Sequence, residues 1–232
     1  MAGALARTGG LAPGRSAPFV IAHAGGNNPW RVTDAIEAGA DLVEVDLWAR
    51  RGAFEARHER RFGPLPILFE KWYLRRPDGP FQLAELLSAT GDHARLFIDL
   101  KNAGGEPVRL LKDALDAARP AVLPVASSQI WSLLRKLRTT LPQVPVFYSI
   151  DVRAQLDLFL RIMEHERPPD GVSCRHTLLD KATIKAMRER GMTVVAWTVD
   201  DPERALDLVE AGVQAITTHE TSAIRAALDD RR

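Results

Sequence analysis

A repeated alternation of short apolar runs and amphipathic stretches is the feature that most limits how this chain can fold. After residue 17, apolar runs predict eight strands, at residues 19–22, 42–47, 95–100, 122–126, 144–150, 171–174, 192–198 and 213–217. Helices are predicted between and after them, among them 29–38, 81–90, 106–118, 180–190 and 222–228. The strands are nearly continuous in apolar character, which is typical of parallel strands buried on both faces.

Three further helices are indicated by caps or by spacing. Ser127 or Ser128 is expected to cap a helix with apolar residues from Ile130 to Leu137, and the same spacing recurs from Leu156 to Met163. Asp201 and Pro202 suit the cap and first position of another helix, which Gly212 closes.

Eight strand–helix units in about 215 residues favour a closed (β/α)₈ barrel, a TIM barrel of the α/β class. An open doubly wound sheet is the alternative. No linker divides the chain, so we expect one barrel domain at residues 18–232, preceded by a flexible N-terminal leader at residues 1–17.

Composition excludes several classes of protein. The 232 residues are 46% hydrophobic and 26% charged, which excludes collagen, low-complexity disorder and coiled coils. The single cysteine excludes a disulfide framework, and no apolar run is long enough to span a membrane. The net charge of +1 gives no indication of nucleic-acid binding, and residues 1–17 lack the apolar core of a secretory signal. We therefore expect a cytoplasmic protein.

In such barrels the functional site lies at the carboxyl ends of the strands. Polar or aromatic residues at these ends, or just beyond them, are the candidates: His23, Glu44, Asp46, Asp99, Lys101 and Trp197, with His58 in the segment after strand two.

Glu44 and Asp46 are two residues apart on one strand, so their side chains leave by the same face. Asp99 on the next strand could join them. Three carboxylates without a cysteine cluster suit a hard cation, Mg²⁺ or Ca²⁺. The alternative is an ion-pair network with Lys101 and nearby arginines.

His23 and His58 could transfer protons beside such a cation, because imidazole titrates near neutral pH. A structural role is the alternative for each. Lys101 could neutralise a phosphate oxygen, or could simply pair with Asp99 or Glu44.

A basic and aromatic segment follows strand two. It includes Arg50, Arg51, Arg57, Arg60, Arg61, Phe62, Phe69, Trp72, Tyr73, Leu74, Arg75 and Arg76. It could make weak contact with an anionic membrane surface, or it could be a solvated loop that packs its apolar residues on the barrel rim.

These residues occur in segments that resemble the glycerophosphodiester phosphodiesterase family, within the phospholipase C-like phosphodiesterases, and the related sphingomyelinase D toxins. The segments are IAHAGG at 21–26, GADLVEVDL at 39–47, RHE at 57–59, FIDLK at 97–101 and VVAWTVD at 194–200. The resemblance implies a (β/α)₈ barrel with metal bound by Glu44, Asp46 and Asp99. It also implies catalysis by His23 and His58, a phosphate contact from Lys101, and a pocket wall at Trp197.

The chain departs from the family pattern at several positions. Ala24 stands where the family usually has arginine, and Glu59 where it has aspartate. Asp99 matches the toxin branch, but one cysteine cannot form the toxins' disulfide-bonded loop. The insertion after the second histidine, which shapes the glycerol end of the pocket, is much reduced.

The resemblance implies metal-dependent cleavage of a small phosphodiester, such as a glycerophosphodiester or lysophospholipid, by water or by a neighbouring substrate hydroxyl. Two other readings stay open. The chain could be an inactive barrel that binds a phosphorylated ligand. It could also be another metal-dependent barrel enzyme, such as an aldolase or sugar-phosphate isomerase, with Lys101 as a candidate for Schiff-base formation. The sequence gives no oligomeric state.

Overall fold

The computed structural model describes residues 11, 16–28, 30–61, 67–70, 73–75, 83–91 and 94–231, and only the backbone of 60–61, 69–70 and 73–75. The described strands, in chain order, are β1 (Phe19–Ala22), β2 (Leu42–Arg50), β3 (Ala53–Ala56), β4 (Arg60–Arg61), β5 (Leu68–Glu70), β6 (Tyr73–Arg75), β7 (Arg95–Leu100), β8 (Val125–Ser128), β9 (Val146–Ile150), β10 (Gly171–Arg175), β11 (Thr193–Trp197) and β12 (Ala215–Thr218).

Eight of these strands are parallel and close into a barrel. The hydrogen-bonded order is β1, β2, β7, β8, β9, β10, β11 and β12, and β12 pairs with β1. Eight described helices connect or follow them: α1 (Trp30–Glu37), α2 (Leu83–Thr90), α3 (Pro107–Ala118), α4 (Trp131–Thr140), α5 (Arg153–Ile162), α6 (Lys181–Glu189), α7 (Pro202–Glu210) and α8 (Thr221–Asp229). The predicted (β/α)₈ barrel is confirmed, and the open sheet is excluded.

The hydrophobic core has two parts, because alternate strand residues point inside and outside the barrel. The inner cluster consists of Leu11, Phe19, Ile21, Leu42, Phe97, Val125, Phe147, Val195 and Ala215. The outer cluster lies between the strands and the helices. Glu44 and Asp99 come two residues after Leu42 and Phe97, so they continue the inner face toward the carboxyl end of the barrel.

Strand β2 is longer than predicted and folds back on itself. It extends to Arg50 and pairs with the antiparallel β3 through a two-residue turn at Arg51 and Gly52. Both turn residues have positive φ, which is the backbone of a type I′ hairpin turn. The sequence prediction ended β2 at residue 47 and missed this hairpin.

Strands β4, β5 and β6 form a small antiparallel sheet in the basic and aromatic segment. The solvated-loop interpretation of this segment is corrected for its described backbone, which is a sheet. Phe62, Trp72 and Arg76 lie outside the described residues, as does most of the predicted leader. Leu11, within the leader, is buried in the inner cluster.

Two predicted helix starts had different outcomes. The Asp201 side chain accepts a hydrogen bond from the Glu203 N–H at 3.0 Å, and Pro202 occupies the first helical position, as predicted. The predicted cap at Ser127 or Ser128 is wrong, because both residues belong to β8 and α4 begins after Ile130. The Ser128 hydroxyl donates to the Leu100 carbonyl at 2.6 Å and accepts from the Ile130 N–H at 3.0 Å, just before the helix begins. Among the described residues, no helix has the length and apolar character needed to cross a bilayer.

We expect Gly171→Ala to destabilise the barrel. Gly171 pairs in register with Phe147, and an added Cβ would overlap the Phe147 ring, which is fully buried beside Phe97. The free energy of unfolding in urea should fall by about 1–3 kcal/mol. Gly104→Ala is the control, since its nearest neighbouring atom would lie 3.9 Å away and the change should stay within about 0.5 kcal/mol. Equal stability of the two variants would contradict this packing.

Candidate active site

Three carboxylates converge inside the carboxyl end of the barrel. Glu44 and Asp46 share one face of β2, and Asp99 of β7 lies in register with Asp46. One oxygen from each of the three lies within 4.8 Å of the others. Glu44 and Asp46 are buried, with relative exposures of 6% and 0%. The geometry therefore brings together the three acids that the sequence singled out.

A short 3-10 helix, Gly25–Asn27, fixes two of these acids from the side. The Ala24 N–H donates to Glu44 Oε2 at 2.6 Å, and the Asn27 amide donates to Asp46 Oδ2 at 2.7 Å. This close approach requires glycine, because a Cβ on Gly26 would lie 2.9 Å from the Cβ of Val45. Sequence reasoning gave Asn27 no role, although it directly follows the Gly-Gly pair.

Lys101 bridges two of the acids. Its Nζ lies 2.6 Å from Asp46 Oδ1 and also forms an ion pair with Asp99. Burial alone would lower the pKa of Lys101, but the three carboxylates outweigh it and raise the pKa above its usual value. The lysine therefore remains a charged ammonium. The pairing with Asp99, which was the alternative to a phosphate contact, is present.

One lysine cannot balance three ionised carboxylates that lie this close together. Burial and the neighbouring Asp46 raise the pKa of Glu44 well above its usual value. Burial also opposes ionisation of Asp46, but Lys101 and the hydrogen bond from Asn27 outweigh it and lower the pKa of Asp46. With all three acids ionised, a divalent cation would neutralise the two negative charges that Lys101 leaves. The all-oxygen donor set, in which the buried Asp99 Oδ1 has no hydrogen-bond partner among the described atoms, fits such an ion.

His23 and His58 lie beside the acids and close to each other. Their ring centroids are 6.2 Å apart, and His23 Nε2 lies 4.0 Å from Glu44 Oε2. Burial, with the neighbouring His219 as the next cause, lowers the pKa of His23 to about 4, so its imidazole is neutral at pH 7.

The β2–β3 hairpin returns His58 to the barrel mouth. The Arg57 N–H donates to the Asp46 carbonyl at 3.0 Å, which places the next residue, His58, near the acids. Arg57 is buried, pairs with Glu55 at 2.9 Å and lies over the Trp48 ring at 4.5 Å. The hairpin missed by the sequence prediction is thus the element that brings the second histidine to the site.

Trp197 lies at the carboxyl end of β11, on the opposite side of the barrel from the acids. Its indole N–H is buried and has no hydrogen-bond partner among the described atoms. Arg175, in register with it on β10, lies over the ring at 5.8 Å and pairs with Asp151 at 2.5 Å. Sequence reasoning identified Trp197 but missed Arg175 and Asp151.

His219 joins the site from the end of β12. Its Nε2 lies 2.8 Å from His23 Nδ1, and its Nδ1 lies 2.9 Å from Asp200 Oδ2. The sequence places His219 directly after the last strand, which is the signal that it could face the pocket. Asp200 lies within the family-like VVAWTVD segment but was given no role.

The comparisons with known proteins cover different parts of the chain. The Glycerophosphoryl diester phosphodiesterase family matches residues 104–223. A glycerophosphodiester phosphodiesterase of Arabidopsis thaliana is 33% identical over 61 residues, which are 26% of this chain and 19% of that protein. The aligned part thus spans about a fifth of the Arabidopsis protein.

Solved structures match almost the whole barrel. A putative glycerophosphoryl diester phosphodiesterase of Silicibacter pomeroyi has a TM-score of 0.78, with 16% identity and 98% of both chains covered. A phosphodiesterase of Oleispira antarctica, solved with its product sn-glycerol-3-phosphate, has a TM-score of 0.74 at 18% identity, covering 92% of this chain and 97% of that one. At these identities the similarity establishes the fold alone.

The family match extends over half of the chain, from the segment after β7 to the start of α8. The acids precede the matched residues, while Trp197, Asp200 and His219 lie within them. On the strength of this match, the chain belongs to the glycerophosphoryl diester phosphodiesterase family.

Proposed function

We propose that this protein cleaves a small phosphodiester, of the glycerophosphodiester or lysophospholipid type, to a phosphomonoester and an alcohol. The observation that carries the proposal is the convergence of two buried carboxylates, a half-buried third, a half-buried lysine and two imidazoles at one end of the barrel. In this proposal residues 18–232 carry the chemistry.

Glu44, Asp46 and Asp99 would hold Mg²⁺ or Ca²⁺. Bound there, the cation would act as a Lewis acid on the non-bridging phosphate oxygens. Lys101 presents a fixed positive charge beside the proposed cation, since its ammonium forms ion pairs with Asp46 and Asp99. Its role is to stabilise charge that develops on the phosphate in the transition state.

The two histidines divide the proton transfers. One imidazole removes the proton from the attacking oxygen as the new oxygen–phosphorus bond forms. The other donates a proton to the alcohol oxygen, which leaves with the electron pair of its broken bond to phosphorus. The attacker is water, which gives a phosphomonoester directly, or a neighbouring substrate hydroxyl, which gives a cyclic phosphate that water then opens.

Trp197 and Arg175 form the side of the pocket that faces the alcohol part of the substrate. The buried Trp197 indole N–H can donate to a substrate oxygen, and the ring offers an apolar surface. The bound sn-glycerol-3-phosphate of the Oleispira antarctica phosphodiesterase is a product of the kind expected from this reaction.

The Schiff-base alternative requires a neutral lysine amine. The carboxylates around Lys101 raise its pKa, so the amine is protonated and non-nucleophilic. Barrel shape alone does not choose between phosphodiester cleavage and Schiff-base chemistry, because (β/α)₈ barrels carry many unrelated activities. The proposal therefore depends on the side chains at the strand ends.

We expect His23→Ala and His58→Ala each to lower kcat for glycerophosphocholine by about 10²- to 10⁴-fold, because each removes one proton transfer. Binding of Mg²⁺ or Ca²⁺, measured by calorimetry, should change little, since neither imidazole belongs to the carboxylate trio. Glycerophosphodiesters and lysophospholipids should be assayed side by side with Mg²⁺, Ca²⁺ and EDTA.

His165→Ala is the matched control, because His165 is exposed on the turn after α5 and far from the strand ends. Wild-type rates in both active-site variants would overturn the assignment of the histidines. Cation binding by a wild-type protein that cleaves no member of the substrate panel would support the inactive barrel instead.

We expect Glu44→Gln to stabilise the cation-free protein at neutral pH. Because its pKa is raised on folding, Glu44 binds its proton more tightly in the folded state, and folding stability falls as the pH rises through that pKa. Glutamine removes this cost and can still accept the hydrogen bond from the Ala24 N–H. The melting temperature without cation should therefore rise above that of the wild type.

The same variant should lose stabilisation by cations. Mg²⁺ or Ca²⁺ at a hundred times its dissociation constant stabilises a protein by about 2.7 kcal/mol. The wild type should show this gain, and Glu44→Gln much less of it at the same concentration. Glu189→Gln, at an exposed ion pair on α6, is the control and should respond as the wild type does. An equal gain in all three proteins would place the cation elsewhere.

A further inference from the structure

His219 and His23 come from opposite ends of the chain but share a hydrogen bond. Closure of the barrel pairs Ala22 of β1 with Thr218 of β12, and the His23 N–H donates to the Thr218 carbonyl at 2.8 Å. The two imidazoles therefore leave neighbouring strand ends side by side. Their ring centroids are 4.4 Å apart, and His23 Nδ1 lies 2.8 Å from His219 Nε2.

Asp200 holds His219 with both of its carboxylate oxygens. Oδ1 accepts from the His219 N–H at 2.8 Å and from the Thr218 hydroxyl at 2.9 Å, and Oδ2 lies 2.9 Å from His219 Nδ1. Burial opposes ionisation of Asp200, but these hydrogen bonds outweigh it and hold its pKa below the usual value. The carboxylate is therefore ionised and can only accept.

When both imidazoles are neutral, this arrangement fixes where the ring protons are. His219 must carry a proton on Nδ1, because a bare nitrogen would face the carboxylate oxygen. Its Nε2 then has a free electron pair, so the short contact requires His23 to donate from Nδ1. His23 Nε2 is left without a proton, and it is the nitrogen on the side of Glu44, 4.0 Å from Oε2.

We infer that Asp200 and His219 are positioning residues that orient His23 and keep its Nε2 free to accept a proton. The inference rests on the proposed function and assigns its two proton transfers. His23 Nε2 takes the proton of the attacking oxygen, and His58 delivers one to the departing alcohol. The hydrogen bond from His23 to His219 then stabilises the imidazolium that forms, as the carboxylate does in a serine-protease triad.

Asp200→Asn tests the direction of the hydrogen bonds that run from His23 through His219 to Asp200. The asparagine oxygen can keep the bonds from the His219 N–H and the Thr218 hydroxyl, but its amide would donate to His219 Nδ1. His219 would then donate from Nε2 to His23, and the His23 proton would move to Nε2. We expect kcat to fall at least about 10²-fold with KM nearly unchanged, since the comparable change in a serine-protease triad costs about 10⁴-fold.

His219→Gln supplies the matched rescue. The glutamine amide oxygen can occupy the place of His219 Nε2 and accept from His23 Nδ1. The residue at position 200 would then no longer determine which nitrogen of His23 carries the proton. We expect kcat within about tenfold of the wild type, whereas His219→Ala should lose about 10- to 100-fold. In the His219→Gln background, Asp200→Asn should cost almost nothing. The effects of the two substitutions on kcat should therefore not add, because Asp200 acts on His23 only through His219.

The positions of the ring protons can be read without activity. At about pH 8, above the usual imidazole pKa of about 6.5, the ¹⁵N shifts of ring-labelled protein should show His23 protonated at Nδ1 in the wild type and at Nε2 in Asp200→Asn. Asp116→Asn and His165→Gln, both at exposed sites away from the barrel mouth, should change neither the shifts nor kcat.

A wild-type His23 protonated at Nε2 would overturn the inference, as would an equal cost of Asp200→Asn with and without His219. A rise in KM at constant kcat would also overturn it, because it would make His219 a substrate contact. If the wild type cleaves no phosphodiester, the proposed function fails. The imidazole ¹⁵N shifts would still report whether Asp200 and His219 orient His23.

Discussion

The crowding of three carboxylates at the carboxyl end of the barrel governs the rest of the site. Glu44 and Asp46 are buried, Asp99 is half-buried beside them, and Lys101 forms ion pairs with Asp46 and Asp99. Buried charges are costly unless they are paired, so such a cluster persists only where the surrounding structure holds it or where a ligand completes it. Here the surroundings supply donors from Ala24 and Asn27, and a divalent cation would supply the remaining charge.

The barrel can hold this cluster because its inner layer is apolar and closely packed just beneath it. Leu42 and Phe97 stand two residues before Glu44 and Asp99 on the same strands, within the inner cluster. That layer keeps water from the acids on one side and fixes the register of β2 against β7. Along each of these strands, the first residues therefore stabilise the barrel by packing, and the last residues carry the reactive side chains.

The same division explains how far the sequence could be interpreted. Strand β7 was predicted at its observed bounds, because its apolar run lasts almost to its end. Strand β8 was placed too early, since its last residues are Ser127 and Ser128, which lack the apolar signal of a buried strand. Polar residues belong at these strand ends because they border the site. Hydropathy is thus least informative where function is concentrated.

The hairpin after β2 escaped prediction for a different reason. Its turn is made by Arg51 and Gly52, and arginine is not among the residues that usually mark a type I′ turn. Without that turn, His58 could be placed only as a residue somewhere after strand two. Its proximity to the acids follows from the pairing of β3 with β2, which brings Arg57 to the Asp46 carbonyl.

The link between His23 and His219 depends on closure of the barrel. The two residues are 196 positions apart, so neither local spacing nor hydrophobic periodicity relates them. An open sheet would leave β1 and β12 unpaired with each other, whereas a closed barrel makes them neighbours and brings both imidazoles to one rim. Closure thus does more than bury strand edges. It lets residues from the last unit of the barrel determine how a side chain of the first unit is oriented and where its proton lies.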